Sequence, residues 1–351
     1  MSIPERGLVF VVGPGRSGTS TMAGALSFSG YTVPQAIKGN ETNPLGFFEP
    51  RWVVNFHRQL LQRTGVRTLD TDPQVLERLS AVLSDEKNRD QVRDWLAPRL
   101  EQHGRLVIKD PRMVWFRDLW VAAAQDLGVD PRFVVMLRHP AEVSASRSNY
   151  YDADEIPAVA GWINVALMTE QLTAGSPRRF VHYPNLTADW RTELVRLRDD
   201  LGLALDPAPE ERPHPVDEFI DPKLRRMKPG WEDSSVPAYL QELGDRTFDV
   251  LGDLAEHGDS ADADDMADRL QALRGEYARI HGDALALVAP TLKRVREDTT
   301  RKVRRRVLAQ AAKRQARQAP PPAAAPPAAQ GLVHRVVRRA RAAAARPAKE
   351  S

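Results

Sequence analysis

Short, unbroken apolar runs alternate along the chain with longer stretches in which apolar residues recur every three or four positions. The runs are 8–12 (LVFVV), 105–109 (RLVIK), 132–137 (RFVVML) and 179–183 (RFVHY). They are too short for helices and have no polar alternation, which predicts strands buried on both faces. The periodic stretches predict helices from about Gly18 to Gly30, over 52–63, 74–83, 85–103 and 114–127, from Ala141, over 157–173 and over 188–201. The segment 34–50 is rich in Pro, Gly and Asn and reads as a loop. Strands alternating with helices imply parallel crossovers. The expected fold is therefore α/β, with three αβα layers around a central parallel sheet.

The pattern changes after about residue 205. Residues 206–215 are Pro-rich and 253–268 are crowded with Asp. From Met266 a 4-3 apolar spacing runs through Leu270, Leu273, Tyr277, Ile280, Ala284 and Leu287. It fits a helix packed on the domain or on a second copy of the chain. Residues 319–330 form a Pro/Ala linker between two basic segments. This gives an expected division into an α/β domain at 1–230, a helical extension at 231–290 and a disordered basic tail at 291–351.

Charge sharpens that division. The formal net charge is only +3, yet residues 291–351 hold 17 Lys/Arg against 3 Asp/Glu and carry +14, leaving −11 on the first 290 residues. The basic character belongs to the tail, so specific nucleic-acid binding by the body is not expected. The tail itself reads as a solvated extension or as a peripheral contact with an anionic membrane. There is no cysteine, which excludes disulfides, thiol catalysis and Cys-ligated metals. No apolar run resembles a signal peptide or a membrane span. The expected location is cytoplasmic, with peripheral attachment at the inner membrane face as an option.

The chemistry gathers where the apolar runs end. After 8–12 comes GPGRSGTS, 13–20. A Gly-rich turn between a strand and a helix points backbone N–H groups, and the positive end of the helix dipole, at one place. Gly13, Gly15 and Gly18 permit close approach of an anion, and Ser17, Thr19 and Ser20 add hydroxyl donors. Gly13 and Gly18 keep the spacing of the nucleotide-triphosphate pattern G-x-x-x-x-G-K-[ST], and Ser20 keeps its hydroxyl. Thr19 stands where the lysine would be, and Arg16 lies inside the loop, which favours an anion shorter than a triphosphate. Lys109 and Arg112 follow the second run, and Arg138 ends the third.

Two elements make the chain similar to the sulfotransferases that use 3′-phosphoadenosine 5′-phosphosulfate (PAPS), especially bacterial and carbohydrate-type members. GPGRSGTS resembles their 5′-phosphosulfate loop. LRHPAEVSASR, 137–147, resembles their 3′-phosphate element, with Arg138, Pro140 and Ser146 at the matching places. The resemblance covers about residues 6–230. It implies a P-loop fold, a donor held by Gly15, Arg16, Ser17, Gly18, Thr19, Ser20, Arg138 and Ser146, and no metal requirement. It also implies sulfuryl transfer to an acceptor hydroxyl, with Arg16 and Lys109 balancing charge.

The base is less direct. Cytosolic members carry Lys-x-His after the second strand, and here Pro111 stands in place of the His. Other members use a Glu in the loop after the first helix. Glu41 and Glu49 both lie there; Glu41 is preferred by its distance from the phosphate loop, and Glu49 also reads as a cap for the helix opening at Pro50. His57 is read as a helix-surface residue. The acceptor is a small molecule, sugar or lipid, with a carbohydrate or glycolipid hydroxyl as the first expectation. Phe47, Phe48, Trp52, Phe56, Trp115, Trp120 and Trp162 supply either stacking surfaces or core. Two alternatives stand beside this reading. One is a kinase or nucleotidase with a degenerate loop, for which Asp110 would hold a metal. The other is a noncatalytic protein that associates, as a homodimer for example, through the 266–287 helix.

Overall fold

The computed structural model describes residues 6–39, 46–151, 153–221, 230–232, 234–260 and 263–318. Glu41 and the segment from 319 onward lie outside them. Two compact units are distinguished, Met1–Leu285 and Ala286–Ser351.

The first unit is built on four parallel strands, β1 (Gly7–Val12), β2 (Arg105–Lys109), β3 (Arg132–Leu137) and β4 (Arg178–His182), in the order β2-β1-β3-β4. The helices are α1 (Thr19–Ser27), α2 (Arg51–Thr64), α3 (Val75–Leu83), α4 (Glu86–His103), α5 (Arg117–Gln125), α6 (Pro140–Tyr151), α7 (Glu155–Thr173), α8 (Tyr183–Ala188), α9 (Trp190–Leu201), α10 (Val216–Phe219), α11 (Ala238–His257) and α12 (Ala263–Gln318).

Strand side chains alternate between two cores. Leu8, Phe10, Val12, Leu106, Ile108, Phe133, Val135 and Phe180 face one side, where α4, α5, α7 and α11 contribute Trp95, Trp120, Trp162 and Leu251. Val9, Val11, Val107, Val134, Met136 and Val181 face the other, covered by Met22 and Leu26 of α1 and Leu194 and Leu197 of α9. Both faces are covered, which gives the α/β, three-layer architecture and explains why the strands are apolar throughout.

Local chemistry adjusts the element ends. The helix expected over 114–127 opens with a 3-10 turn, Met113–Phe116, before α5. The stretch 188–201 starts at Trp190, because the Asp189 carboxylate accepts from the Thr192 N–H at 3.2 Å and caps α9. Met266, Leu270, Leu273 and Tyr277 of α12 are buried in this chain's own core, and Tyr277 Oη donates to the Thr71 carbonyl at 2.6 Å. Ala284 and Leu287 are exposed.

Residues 286–318 of the second unit are helical throughout. They include 291–318 of the stretch expected as a basic tail. Ala, Arg, Lys, Gln and Leu fill that stretch, and they are strong helix formers.

Candidate functional site

The strand order reverses at β1, with β2 on one side and β3 on the other. In parallel α/β sheets ligands bind beyond the carboxyl ends of the strands at such a reversal. The loop 13–18 leaves β1 at this point. Gly13 has φ 123, and a Cβ there would lie 2.5 Å from the Met136 carbonyl oxygen of β3. Gly18 has φ 86, and a Cβ there would collide with the Tyr183 ring. Only glycine fits at either position.

The loop ends in an uncapped helix. Gly18 precedes α1 without a side-chain cap, and the first turn carries no acid. The first N–H groups of a helix have no partners within it. Ser17 Oγ is buried with no hydrogen-bond partner, although its backbone N–H donates to the Pro14 carbonyl at 3.2 Å. A buried orphan hydroxyl beside an uncapped helix start is suited to an anion.

Arg16 takes φ 76, the left-handed region that costs a side-chain-bearing residue about 1–2 kcal/mol. Both of its ends are held. Its carbonyl accepts from Arg138 Nη1 at 3.2 Å, and its Nε donates to Ser146 Oγ at 3.0 Å. Arg138 leaves β3, pairs through Nε with Glu142 Oε2 at 2.7 Å, and lies over the Tyr183 ring at 4.7 Å. Arg138, Glu142 and Ser146 are all buried. Burial, foremost, raises the Tyr183 hydroxyl above its ordinary pKa.

The carboxyl end of β2 carries the second group. Lys109 Nζ donates to Glu49 Oε1 at 2.5 Å, to Ser20 Oγ at 3.3 Å and to the Phe47 carbonyl at 3.5 Å. Ser20 Oγ itself donates to that carbonyl at 3.3 Å. The loop bearing Glu49 is fastened on its far side, since the Ile37 N–H donates to the Glu49 carbonyl at 2.9 Å and the Arg51 N–H to the Gln35 carbonyl at 3.2 Å. Phe48, between the carbonyl and the carboxylate that meet Lys109, takes φ 51 while its ring packs on Phe219. A bulky residue in this region marks local strain. The expected cap is absent: α2 begins after Pro50 with no side-chain hydrogen bond, and the Glu49 carboxylate meets Lys109 instead.

His57 is fully buried, which corrects its reading as a surface residue. Trp120 Nε1–H donates to His57 Nε2 at 2.7 Å, and His57 Nδ1 lies 3.2 Å from Asp110 Oδ2. An indole N–H only donates, so Nε2 is the acceptor and Nδ1 carries the proton given to Asp110. Asp110 Oδ1 accepts from both the backbone N–H and Nη1 of Arg112, each at 2.8 Å. Burial tends to raise the Asp110 pKa. The His57 bond and the charge of Arg112 outweigh it and hold the carboxylate below its usual range. Trp120, His57 and Asp110 thus fix Arg112 at the rim, next to Pro111, whose Cβ would lie 3.7 Å from a Cβ at Gly15.

Gly15, Arg16, Ser17, Gly18, Thr19, Ser20, Lys109, Arg138, Ser146 and Glu49 therefore stand at the same ends of β1, β2 and β3. Glu142 and Tyr183 were missed by the sequence reading, and His57 was read as a helix-surface residue. His57 had a signal, since it shares helical spacing with Val53, Val54, Leu60 and Leu61. Among the aromatic candidates, Trp115, Trp120, Trp162 and Phe56 are core, and Trp52 stacks on Phe56 and Trp95. Phe47 and Phe48 remain half-buried beside Glu49. No group of three or more metal-ligating side chains occurs among the described residues.

No protein-family model and no curated protein matches the chain. Solved structures with a similar trace include the sulfotransferase domain of the Synechococcus PCC 7002 olefin synthase, 19% identical over 72% of this chain and 96% of that one, with a TM-score of 0.42. The sulfotransferase domain from the curacin biosynthetic pathway is 14% identical over 71% and 98% of the two chains, with a TM-score of 0.40. A sulfotransferase from Mycobacterium tuberculosis H37Rv is 15% identical over 70% and 77%, with a TM-score of 0.38. These are distant likenesses of fold, and no activity passes to this chain through them.

Proposed function

We propose that the chain is a sulfotransferase that takes a sulfuryl group from PAPS and passes it to an acceptor hydroxyl. The observation that carries the reading is the junction of the two anion elements: Arg16 of the glycine loop reaches Ser146 at 3.0 Å, and Arg138 bonds the Arg16 carbonyl at 3.2 Å. One ligand with anionic groups at both ends of a nucleotide suits that pair of elements. When bound, PAPS supplies a sulfuryl group whose sulfur–oxygen bond to the 5′-phosphate breaks as the acceptor oxygen bonds to sulfur.

The residues divide the work. The loop N–H groups with Ser17, Thr19 and Ser20 hold the 5′ end, and Arg138 with Ser146 holds the 3′-phosphate. Arg16 and Lys109 balance the charge that grows on the leaving phosphate, which is normally the larger catalytic contribution. Glu49 takes the acceptor proton. It is favoured as base because Lys109, at 2.5 Å, ties it to the phosphate loop through Ser20. The half-buried Phe47, next to Glu49, suits a sugar face or a glycolipid chain as acceptor.

The kinase or nucleotidase reading is weakened by Asp110, the acid it needs for a metal, whose two oxygens are committed to His57 and Arg112. Incubation of the protein with PAPS labelled on sulfur and a panel of glycosides and glycolipids tests the proposal. Transfer of label to a hydroxyl, lost in Arg16→Ala, is the expected result. Label unmoved on every acceptor, with release of phosphate from ATP–Mg²⁺, would overturn it.

A further inference from the structure

We infer that residues 286–318 bind an anionic phospholipid surface. The segment is helical and carries 11 Lys/Arg against 2 Asp/Glu. Its large apolar side chains are uncovered: Leu287 is 82% exposed, Leu292 57% and Leu308 61%, and Val288, Val295 and Val303 are also exposed. Val288, Leu292, Val295 and Val303 fall on one face at helical spacing, flanked by Lys293, Arg296 and Lys302.

Three occupants compete for such a helix. A second copy is opposed by charge, since two segments of this composition repel along their length. A nucleic acid satisfies the cations but buries no apolar side chain. An anionic bilayer interface takes both, with Lys and Arg at the headgroups and Val and Leu at the acyl boundary. No helix among the described residues is long and apolar enough to cross a membrane, so the helix lies on the surface. This inference stands apart from the sulfotransferase proposal and uses none of its residues.

The protein is sedimented with vesicles of phosphatidylcholine alone, with vesicles containing phosphatidylglycerol, and separately titrated with duplex DNA. Binding to the anionic vesicles at low salt, weakened by added salt and absent from neutral vesicles, is expected. Replacing Arg304, Arg305 and Arg306 by Gln should weaken it on the order of a hundredfold. Replacing Leu292, Val295 and Val303 by Ala should weaken vesicle binding several-fold while leaving DNA binding unchanged. The melting temperature should not move in either variant, because every substituted side chain is exposed. Absence of vesicle binding at low salt, equal binding to neutral vesicles, or an Ala variant that binds vesicles like the parent would overturn the inference.

Discussion

Arg16 Nε donates to Ser146 Oγ at 3.0 Å across 130 positions of sequence. The contact joins the loop after β1 to the helix after β3, so the two elements proposed to hold the donor's anionic groups are one structure. Their contributions to nucleotide binding should be coupled. A double-mutant cycle of Arg16→Ala and Ser146→Ala, read by calorimetry with 3′,5′-bisphosphoadenosine (PAP), should give an interaction energy of about 0.5–3 kcal/mol. Additive losses would mean that the two side chains act separately.

Arg16 is also strained, with φ 76. Replacing it by Gly removes the side chain and relieves the backbone, whereas Ala removes only the side chain. Arg16→Gly should exceed Arg16→Ala in stability by about 1 kcal/mol in urea unfolding. Both should lack transferase activity, which separates the backbone role of the residue from its chemical one.

If Glu49 is the base, Glu49→Gln should lower kcat by roughly two to four orders of magnitude. PAP affinity should change little, because Gln still meets Lys109 through its amide oxygen. Glu41→Gln is the matched control. A slow Glu41 variant beside a near-normal Glu49 variant would pass the role to Glu41.

The Trp120–His57–Asp110–Arg112 chain predicts acid sensitivity. The Asp110 carboxylate is held below its ordinary pKa of 3.8, so the unfolded chain binds the proton more readily than the folded one. Its contribution is complete above 3.8 and is lost as pH falls toward the folded value. Melting curves should drop on that acid flank, and Asp110→Asn should be less stable near neutrality with a shallower acid slope. An unchanged slope would place the acid sensitivity elsewhere.

Much of this was legible in the sequence because it rests on local patterns. Four apolar runs gave the strands, and Gly13 and Gly18 marked a tight turn that only glycine fits. Arg138 and Ser146 were named through the family resemblance, and their side chains lie at the carboxyl end of β3 and in the helix after it. What escaped depends on contacts between distant elements. His57 looked like a surface residue because its partners, Trp120 and Asp110, lie 63 and 53 positions away. Glu49 looked like a cap because the pull of Lys109 from β2 leaves no trace in 46–50. The 266–287 stripe fitted a partner helix as well as its own domain, and only the fold shows Met266 to Tyr277 buried in the core.

The central claim is a donor recognised through its 3′-phosphate. Thermal unfolding in the presence of PAP, AMP and ATP–Mg²⁺ tests it most directly. PAP should raise the melting temperature by several degrees, as a ligand at about a hundred times its Kd adds roughly 2.7 kcal/mol, with AMP giving much less. Stabilisation by ATP–Mg²⁺ with no response to PAP would contradict the account.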